Sequence, residues 1–274
     1  MREPSLEVVI GFKGVGKTYT TKEIVESYIM NDPSTGRKAR PVLVFDVNGE
    51  YEDYQAIDFD VTEPNERIRA AELRKISRPG KYRIVNYKKD RSVMSPNEMY
   101  ATLITICSYY RSGLLILEDV NRYMLSNVKV DIVGLLIGLR HLGTDLIIHY
   151  QSLRAIPPRM WGNMNFLRWH KQSDNIDKYK QRLDDYALFK IGERISERMY
   201  LKNERYYFWI DKLRGKLIGV DELVFEQACL EYLAITPGAL NAQNRLMKIQ
   251  PNDGEGEKKN ATKAFIEMKK KEYL

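Results

Sequence analysis

Short apolar runs recur along the first part of the chain, and longer segments of mixed polarity separate them. The runs are rich in Val, Ile and Leu, which is typical of strands buried on both faces of a sheet. They cover residues 6–10, 42–46, 82–86, 114–117 and 146–148. Segments with helical character lie between them, at 19–30, 97–109 and 130–140. This alternation predicts an α/β fold, with a mainly parallel sheet and helices on both faces.

The pattern changes after residue 151. Residues 165–170 are a candidate for one more strand, and the polar segment 174–190 is predicted to be helical. The sequence over 206–220 predicts an antiparallel hairpin, and residues 223–233 predict a short helix. We therefore expect a core, then a hairpin and helix subdomain, and then a linker with a Lys-rich amphipathic tail. These three parts span 1–200, 201–250 and 251–274.

A glycine-rich loop joins the first predicted strand to the first predicted helix. Its sequence, Gly11-Phe-Lys-Gly-Val-Gly-Lys-Thr18, is a complete Walker A motif in a strand–loop–helix context. Glycines let backbone N–H groups point at phosphate oxygens, and the helix N-terminus adds positive charge. We expect Lys17 to reach the β- and γ-phosphates of ATP and Thr18 to ligate Mg²⁺. The predicted nucleotide-binding residues are Gly11, Gly14, Val15, Gly16, Lys17, Thr18 and Tyr19.

Two acidic residues end the fourth apolar run. Glu118 and Asp119 follow Leu114–Leu117, and α/β sheets bind ligands at the carboxyl ends of their strands. We expect Glu118 to hold the Mg²⁺ shell and Asp119 to orient or deprotonate the attacking water, although the sequence leaves the two roles interchangeable. Gln151 ends the next run and can hydrogen-bond the γ-phosphate or the lytic water. His149, in the same run, is expected to be a packed strand residue.

Composition narrows the class of protein. The 274 residues are 43% hydrophobic and 30% charged, as in ordinary globular proteins, and no apolar run is long enough to span a bilayer. Two cysteines, Cys107 and Cys229, are too few for a disulfide framework, and the three histidines lack metal-binding spacing. We expect a protein of the cytoplasm, or of the host cytoplasm if it is viral, with no membrane partner.

Positive charge is concentrated in three segments. The formal net charge is +7, but residues 67–91, 159–182 and 258–274 carry +8, +4 and +4, which leaves −9 for the rest of the chain. Segregated charge of this kind indicates a polyanionic partner such as nucleic acid, with solvated loops and a solvated tail as the alternative. The candidate nucleic-acid contacts, on the loop after the third apolar run, are Lys88, Lys89 and Arg91.

Four segments together resemble the FtsK/HerA superfamily of P-loop ATPases, motors that pump nucleic acid. The first is the Walker A motif. Asp46-Val-Asn-Gly-Glu-Tyr51 resembles the Asp-x-x-Gly-Glu-Tyr segment of HerA-like ATPases, and Leu115–Met124 resembles their acidic-pair Walker B segment. Arg140–Gln151 is similar to the family's Arg-x-x-Gly, apolar strand and Gln signature, with the same spacing. The resemblance covers about residues 5–175.

The resemblance implies a fold, an assembly and a further site residue. The fold is a RecA-like additional-strand P-loop core with sheet order 5-1-4-3-2. The assembly is a homo-oligomeric ring, a hexamer or a pentamer, with ATP at the subunit junctions. Arg140 is then the candidate arginine finger, with a helix-end arginine that bonds its own last carbonyls as the alternative. The other arginines considered for the finger are Arg122, Arg154 and Arg159.

These features favour an ATP-driven nucleic-acid translocase with ATP and Mg²⁺ as cofactors. The expected role is double-stranded DNA packaging in a virus or DNA transfer by a mobile element. Thr18 and Glu118 are the expected metal ligands. The Lys-rich tail could contact DNA, bind a portal or capsid partner, or extend into solvent. Two alternatives stay open: a non-motor P-loop regulator or phosphotransferase, and a DNA-binding structural protein with vestigial ATPase chemistry.

Overall fold

The computed structural model describes residues 4–34, 36–123, 132–236, 238 and 255–274. The chain divides into two units, residues 1–167 and 168–274, whereas the sequence placed the end of the core at residue 200. Parts of several predicted features lie outside the described residues. These parts are Met124 of the Walker B segment, residues 130 and 131 of a predicted helix, residues 237 and 239–250 of the predicted hairpin and helix subdomain, and residues 251–254 of the predicted linker.

The described residues of the first unit include six parallel strands of one sheet. They are β1 (Leu6–Ile10), β2 (Pro41–Asp46), β3 (Gln55–Ala56), β4 (Gly80–Val85), β5 (Leu114–Leu117) and β6 (Asp145–Tyr150). Hydrogen bonds join β1 to β6, β6 to β5, β5 to β2, β2 to β4 and β4 to β3, and every pair is parallel. The predicted α/β class is confirmed, and the two-residue β3 is the one strand here that the sequence did not predict.

The strand order differs from the one that the resemblance implied. With the five predicted strands numbered in chain order, the observed order is 3-2-4-5-1 rather than 5-1-4-3-2. The strand β4 lies beyond β2, not between β2 and β5. Its sequence explains this position, because Lys81 and Arg83 keep β4 partly exposed while every residue of β2 and β5 is buried. A strand that carries two cations suits a place near the edge of a sheet.

Helices connect the strands of the first unit. The helix α1 (Lys17–Tyr28) follows the Walker A loop. Ser95 starts a later helix with a capping box, in which its side chain and that of Glu98 each accept a hydrogen bond from the other's backbone N–H. The remaining helices are α2 (Glu66–Arg69), α3 (Ala71–Lys75), α4 (Pro96–Tyr109), α5 (Ile132–His141) and α6 (Pro158–Asn163). The sequence predicted α1, α4 and α5 but missed the three short helices, each of which has six residues or fewer.

The register of the sheet brings residues at or near the carboxyl ends of three neighbouring strands to one level. Phe45 of β2 pairs with Leu117 of β5, and Leu117 pairs with Ile148 of β6. The next residue of each chain segment therefore lies at the same level of the carboxyl edge. These residues are Asp46, Glu118 and His149.

The strand β7 is formed by Phe166–Trp169, and the described residues of the second unit form a hairpin and three α-helices. The strands β8 (Phe208–Asp211) and β9 (Lys216–Ile218) pair antiparallel, which confirms the predicted hairpin. The helices are α7 (Tyr186–Tyr200), α8 (Glu222–Ile235) and α9 (Glu255–Tyr273). The segment 174–190, predicted to be helical, contains one complete helix and the start of a second. A 3-10 helix at Ile176–Arg182 comes first, and Asp185 then caps α7 by accepting a hydrogen bond from Leu188 N.

The Lys-rich tail folds as α9 within the second unit. Phe265 is 2% exposed and its ring stacks on Tyr232 of α8, with centroids 6.2 Å apart. Lys270 forms ion pairs with Glu222 and Glu226 of α8. The described part of the tail is therefore not extended into solvent. Across the described residues, no helix combines the length and the apolar character that crossing a bilayer requires.

Candidate nucleotide-binding site

The loop between β1 and α1 has the conformation that a phosphate-binding loop requires. Gly14 and Gly16 both have φ of 89°, a left-handed conformation in which any residue with a Cβ is strained. Thr20 N donates to the carbonyl of Gly16 at 3.0 Å, so α1 begins directly after the loop. The backbone N–H groups at the start of α1 are thus available to an anion.

The side chain of Lys17, the first residue of α1, contacts the backbone of this loop. Its Nζ donates to the carbonyl oxygens of Gly11 and Phe12, at 2.6 Å each. Burial lowers the pKa of Lys17, and the nearby carboxylates of Asp119 and Glu118 oppose that shift. A cation and a helix N-terminus therefore meet at one loop, an arrangement that fits the phosphates of a nucleotide.

Thr18 and Glu118 contact each other at the carboxyl edge of the sheet. Thr18 Oγ1 donates to Glu118 Oε1 at 2.9 Å. Thr18 is the second residue of α1 and Glu118 directly follows β5, so this bond joins the Walker A segment to the Walker B segment. A hydroxyl and a carboxylate are oxygen donors of the kind that Mg²⁺ prefers, together with phosphate oxygens and water. The two side chains predicted as metal ligands are adjacent, and their chemistry fits Mg²⁺.

Three side chains meet Glu118 Oε1. Besides Thr18, the hydroxyl of Tyr51 donates to it at 2.9 Å, and His149 Nδ1 lies 3.4 Å away. Glu118 is 2% exposed, and burial alone would raise the pKa of its carboxyl group. The pKa is nevertheless lowered overall. His149 opposes the effect of burial through a hydrogen bond and its charge, and Tyr51 and Thr18 oppose it through hydrogen bonds. Glu118 is therefore held as a carboxylate.

Sequence reasoning assigned no role at this site to Tyr51 or His149. His149 was expected to be a packed strand residue, and it is buried, but its ring lies between Glu118 and Thr21, with Nε2 2.9 Å from Thr21 Oγ1. Tyr51 is the last residue of the Asp-x-x-Gly-Glu-Tyr segment. That segment was the available signal, but spacing alone does not reveal that a tyrosine 67 residues away in sequence reaches Glu118.

Asp119 and Gln151 form the second polar pair of the site. Gln151 Nε2 donates to Asp119 Oδ1 at 3.0 Å. Asp119 has φ of 46° and ψ of 45°, a left-handed backbone that is costly for a residue with a Cβ and is concentrated at functional sites. The two acidic neighbours thus have different surroundings, since Glu118 bonds Thr18 and Asp119 bonds Gln151.

Arg140 lies at the opposite edge of the sheet. Its Nε donates to the carbonyl of Pro4 at 3.1 Å and its Nη1 to the carbonyl of Asn163 at 3.0 Å. Pro4 precedes β1, so these contacts lie at the amino end of the strand, while Lys17 lies past its carboxyl end. The structure therefore does not bring Arg140 together with the other predicted site residues of its own chain.

The three candidate nucleic-acid contacts lie on the loop after β4. Lys88 Nζ is 3.3 Å from a Glu98 carboxylate oxygen, and Lys89 Nζ is 3.6 Å from Asp60 Oδ2. Arg91 is exposed and has φ of 65°. Because Lys88 and Lys89 each have an acidic partner, Arg91 is the member of this group that extends the most net positive charge into solvent.

A comparison with protein-family models supports the suspected family. The model for the central domain of the helicase HerA matches residues 8–143. This range contains the Walker A loop, the segment that ends at Tyr51, and both carboxylates after β5. This match, over just under half of the chain, supports the suspected FtsK/HerA superfamily of P-loop ATPases. Lys17 and Thr18 occupy the Walker A positions of the matched region, and Glu118 directly follows the candidate Walker B strand β5.

Solved structures support the fold of this HerA-like protein. The genome-packaging NTPase B204 of Sulfolobus turreted icosahedral virus 2 matches in complex with ATP-gammaS, at 15% identity and a TM-score of 0.50, over 79% of this chain and 96% of that chain. Its complex with AMP matches at 16% identity and a TM-score of 0.51, with the same coverage. At such identities the likeness establishes the fold alone. No curated protein matches the chain.

Proposed function

We propose that this HerA-like protein is an ATP-driven nucleic-acid translocase. Double-stranded DNA is the favoured substrate, in virus genome packaging or in DNA transfer by a mobile element. The hydrogen bond between Thr18 and Glu118 carries the ATPase part of the proposal, because it joins both Walker segments beside a lysine-bearing phosphate loop. The similar B204 structures are of a DNA-packaging ATPase, one of them in complex with ATP-gammaS, and they support ATP-driven work on DNA as the function.

Each site residue then has a distinct task. Lys17 binds the β- and γ-phosphates, in place of the two loop carbonyls that it now contacts. Thr18 and Glu118 hold Mg²⁺, which when bound neutralises charge on the phosphates. Asp119 accepts a proton from the attacking water or orients it, since Glu118 is already bonded to Thr18. Gln151 fixes the carboxylate of Asp119 and senses the γ-phosphate.

The nucleic-acid part of the proposal rests on charge. A translocase needs sequence-independent contacts to phosphates, which Lys and Arg provide. The loop after β4 supplies Lys88, Lys89 and Arg91, and we assign Arg91 the main contact because the two lysines have acidic partners.

We further propose a homo-oligomeric ring of five or six subunits, in which Arg140 acts as an arginine finger on the neighbouring subunit. A portal or capsid component remains the predicted docking partner.

DNA-stimulated ATP hydrolysis tests the proposal. The natural chain, Lys17→Ala and Lys38→Ala are assayed with Mg²⁺ and ATP, with and without long double-stranded DNA. We expect DNA to stimulate turnover in the natural chain. Lys17→Ala should abolish ATP turnover, because the ammonium group that binds the phosphates is removed. The exposed Lys38 lies outside the site, so Lys38→Ala is the matched control and should keep turnover and its stimulation.

The outcomes separate this function from its alternatives. Turnover that is indifferent to DNA would overturn the translocase and favour a non-motor P-loop regulator. DNA binding without any turnover would favour a structural DNA-binding protein with vestigial ATPase chemistry. Single-stranded DNA and RNA of the same length, assayed in parallel, decide which nucleic acid is the substrate.

A further inference from the structure

Two side chains outside the Walker motifs contact the Walker B carboxylate. The hydroxyl of Tyr51 donates to Glu118 Oε1 at 2.9 Å, and His149 Nδ1 lies 3.4 Å from the same oxygen. We propose that Tyr51 and His149 are positioning residues that fix Glu118 so that Mg²⁺ and nucleotide meet a preformed site. This inference rests on the ATP-binding part of the proposed function.

The backbone of Tyr51 is fixed by a buried carboxylate. Asp46 is 1% exposed, and its two oxygens accept hydrogen bonds from Glu50 N at 2.9 Å and Tyr51 N at 3.2 Å. Arg83 of β4 donates to the same carboxylate at 3.0 Å. The segment after β2 is thus tied to the end of its own strand, and Tyr51 is directed at the end of the adjacent strand β5.

The ring of Tyr51 is fixed as well. It is fully buried and packs edge-on against the ring of Tyr54, with centroids 5.0 Å apart and an interplanar angle of 69°. The two tyrosines differ in their hydroxyl groups. Tyr51 bonds Glu118, whereas the hydroxyl of Tyr54 is buried with no hydrogen-bond partner among the described residues. The chain therefore contains its own control for the removal of a tyrosine hydroxyl at this place.

His149 links Glu118 to α1. Its Nε2 lies 2.9 Å from Thr21 Oγ1, and Thr21 belongs to the same helix as Thr18. An Nδ1–H that faces Glu118 satisfies the first ring contact, and Nε2 pairs with the Thr21 hydroxyl whether Nε2 carries a proton or not. The imidazole is 3% exposed, so this arrangement leaves its ring little freedom.

The contacts to Glu118 converge on one oxygen. Thr18, Tyr51 and His149 all meet Oε1. A carboxylate that is fixed through one oxygen presents the other in a constant direction. Residues that orient a metal ligand in this way commonly change metal affinity by about 10- to 100-fold when they are replaced.

Mg²⁺ affinity measures this positioning directly. The natural chain, Tyr51→Phe and Tyr54→Phe are stripped of metal with EDTA, which is then removed, and ATPγS binding is measured without metal. The ATPγS-saturated proteins are then titrated with Mg²⁺ by calorimetry, and the heat of Mg²⁺ binding to free ATPγS is subtracted. We expect Tyr51→Phe to weaken Mg²⁺ binding by about 10-fold and to leave metal-free ATPγS binding unchanged. Tyr54→Phe should match the natural chain in both titrations.

Two further variants test His149. His149→Ala should weaken Mg²⁺ binding, and His149→Asn should recover part of the loss, because the Asn side-chain amide can donate from near the position of Nδ1. If Tyr51→Phe does not fold, as judged by its thermal unfolding, Thr21→Val replaces it in the comparison. This variant removes only the hydroxyl that bonds His149 Nε2, and it should also weaken Mg²⁺ binding.

The result that overturns the inference is distinct from failure of the proposed function. Equal Mg²⁺ affinity in the natural chain, Tyr51→Phe and His149→Ala would overturn the positioning role while leaving the ATPase intact. Equal losses in Tyr51→Phe and Tyr54→Phe would also overturn it, because the loss would then not depend on the hydroxyl that bonds Glu118. If the natural chain bound no ATPγS with or without Mg²⁺, the proposed function would fail first.

Discussion

Asp46 carries a charge where water cannot reach it. Its side chain is fully buried and meets Arg83 Nη1 at 3.0 Å, and it also accepts two backbone hydrogen bonds. A buried carboxylate is tolerated when its oxygens are paired in this way, and it is costly once a partner is removed. The Asp-x-x-Gly-Glu-Tyr segment therefore depends on a cation that lies 37 residues away on β4.

Replacing Arg83 should reveal this dependence. We expect Arg83→Met to lower the free energy of unfolding by about 3 kcal/mol, because it leaves Asp46 charged, buried and short of a partner. The control is Lys81→Met, on the same strand, whose partner Glu26 is exposed and whose loss should cost under about 1 kcal/mol. Urea unfolding of the natural chain, Arg83→Met and Lys81→Met gives the free energies of unfolding. Equal losses of that free energy in the two variants would contradict the prediction.

The segment after β4 is an ordered loop. Residues Tyr87 and Val93 pair as an antiparallel bridge, and Lys88 N donates to the carbonyl of Ser92 at 2.9 Å. The turn brings Arg91 into a left-handed conformation, with Arg91 N bonded to the carbonyl of Lys88 at 2.9 Å. Because β4 is parallel to the strands that end at the nucleotide site, this loop leaves the sheet at the same carboxyl edge.

The salt dependence of DNA binding tests this loop. Neutralising Arg91 with Arg91→Gln should lower affinity for double-stranded DNA and reduce the slope of log K against log salt by about 0.9 for each phosphate that the variant no longer neutralises. Lys202→Gln, which removes an exposed cation from the second unit, should leave the slope unchanged. Fluorescence anisotropy at several salt concentrations gives both slopes. An unaltered slope for Arg91→Gln would make the loop ordinary solvated surface.

The predicted site residues lie at two opposite edges of one sheet. Lys17, Thr18 and Glu118 lie at the carboxyl edge, and Arg140 lies at the amino edge, bonded to the carbonyls of Pro4 and Asn163. Arg140 can therefore act on a phosphate only from a neighbouring subunit, and it would have to leave these carbonyls to do so. The same contacts would also fix the segment before β1. Experiment can therefore distinguish a finger role in the neighbouring subunit from a structural role within the same chain.

Mixed rings separate the two roles of Arg140. We expect Arg140→Ala to bind ATPγS normally but to lose hydrolysis, since a finger contributes to turnover more than to binding. Mixing it with Asp119→Ala subunits should restore part of the activity, because some junctions then combine an intact finger with an intact Asp119. Melting temperatures are measured alongside. No recovery on mixing, together with a lower melting temperature for Arg140→Ala, would assign Arg140 a structural role.

Part of the candidate site followed from local sequence. The Walker A loop could be predicted because glycines, a lysine and a threonine at fixed spacing act within one turn. The pairing of Thr18 with Glu118 followed from the rule that parallel strands bring their carboxyl ends together. Tyr51 and His149 could not be assigned in this way, because their contacts depend on which strands are neighbours and on how far each strand extends.

The sequence by itself determined the α/β class, five strands of the first unit, the phosphate-binding loop and the resemblance to the FtsK/HerA superfamily. These features depend on periodicity and spacing over short stretches, which a single chain reveals. Only the tertiary structure decided the strand order, the capped start of α7, the folding of the Lys-rich tail against α8 and the network around Glu118. Those depend on residues far apart in sequence, where burial and charge pairing select one arrangement among several that local propensity allows.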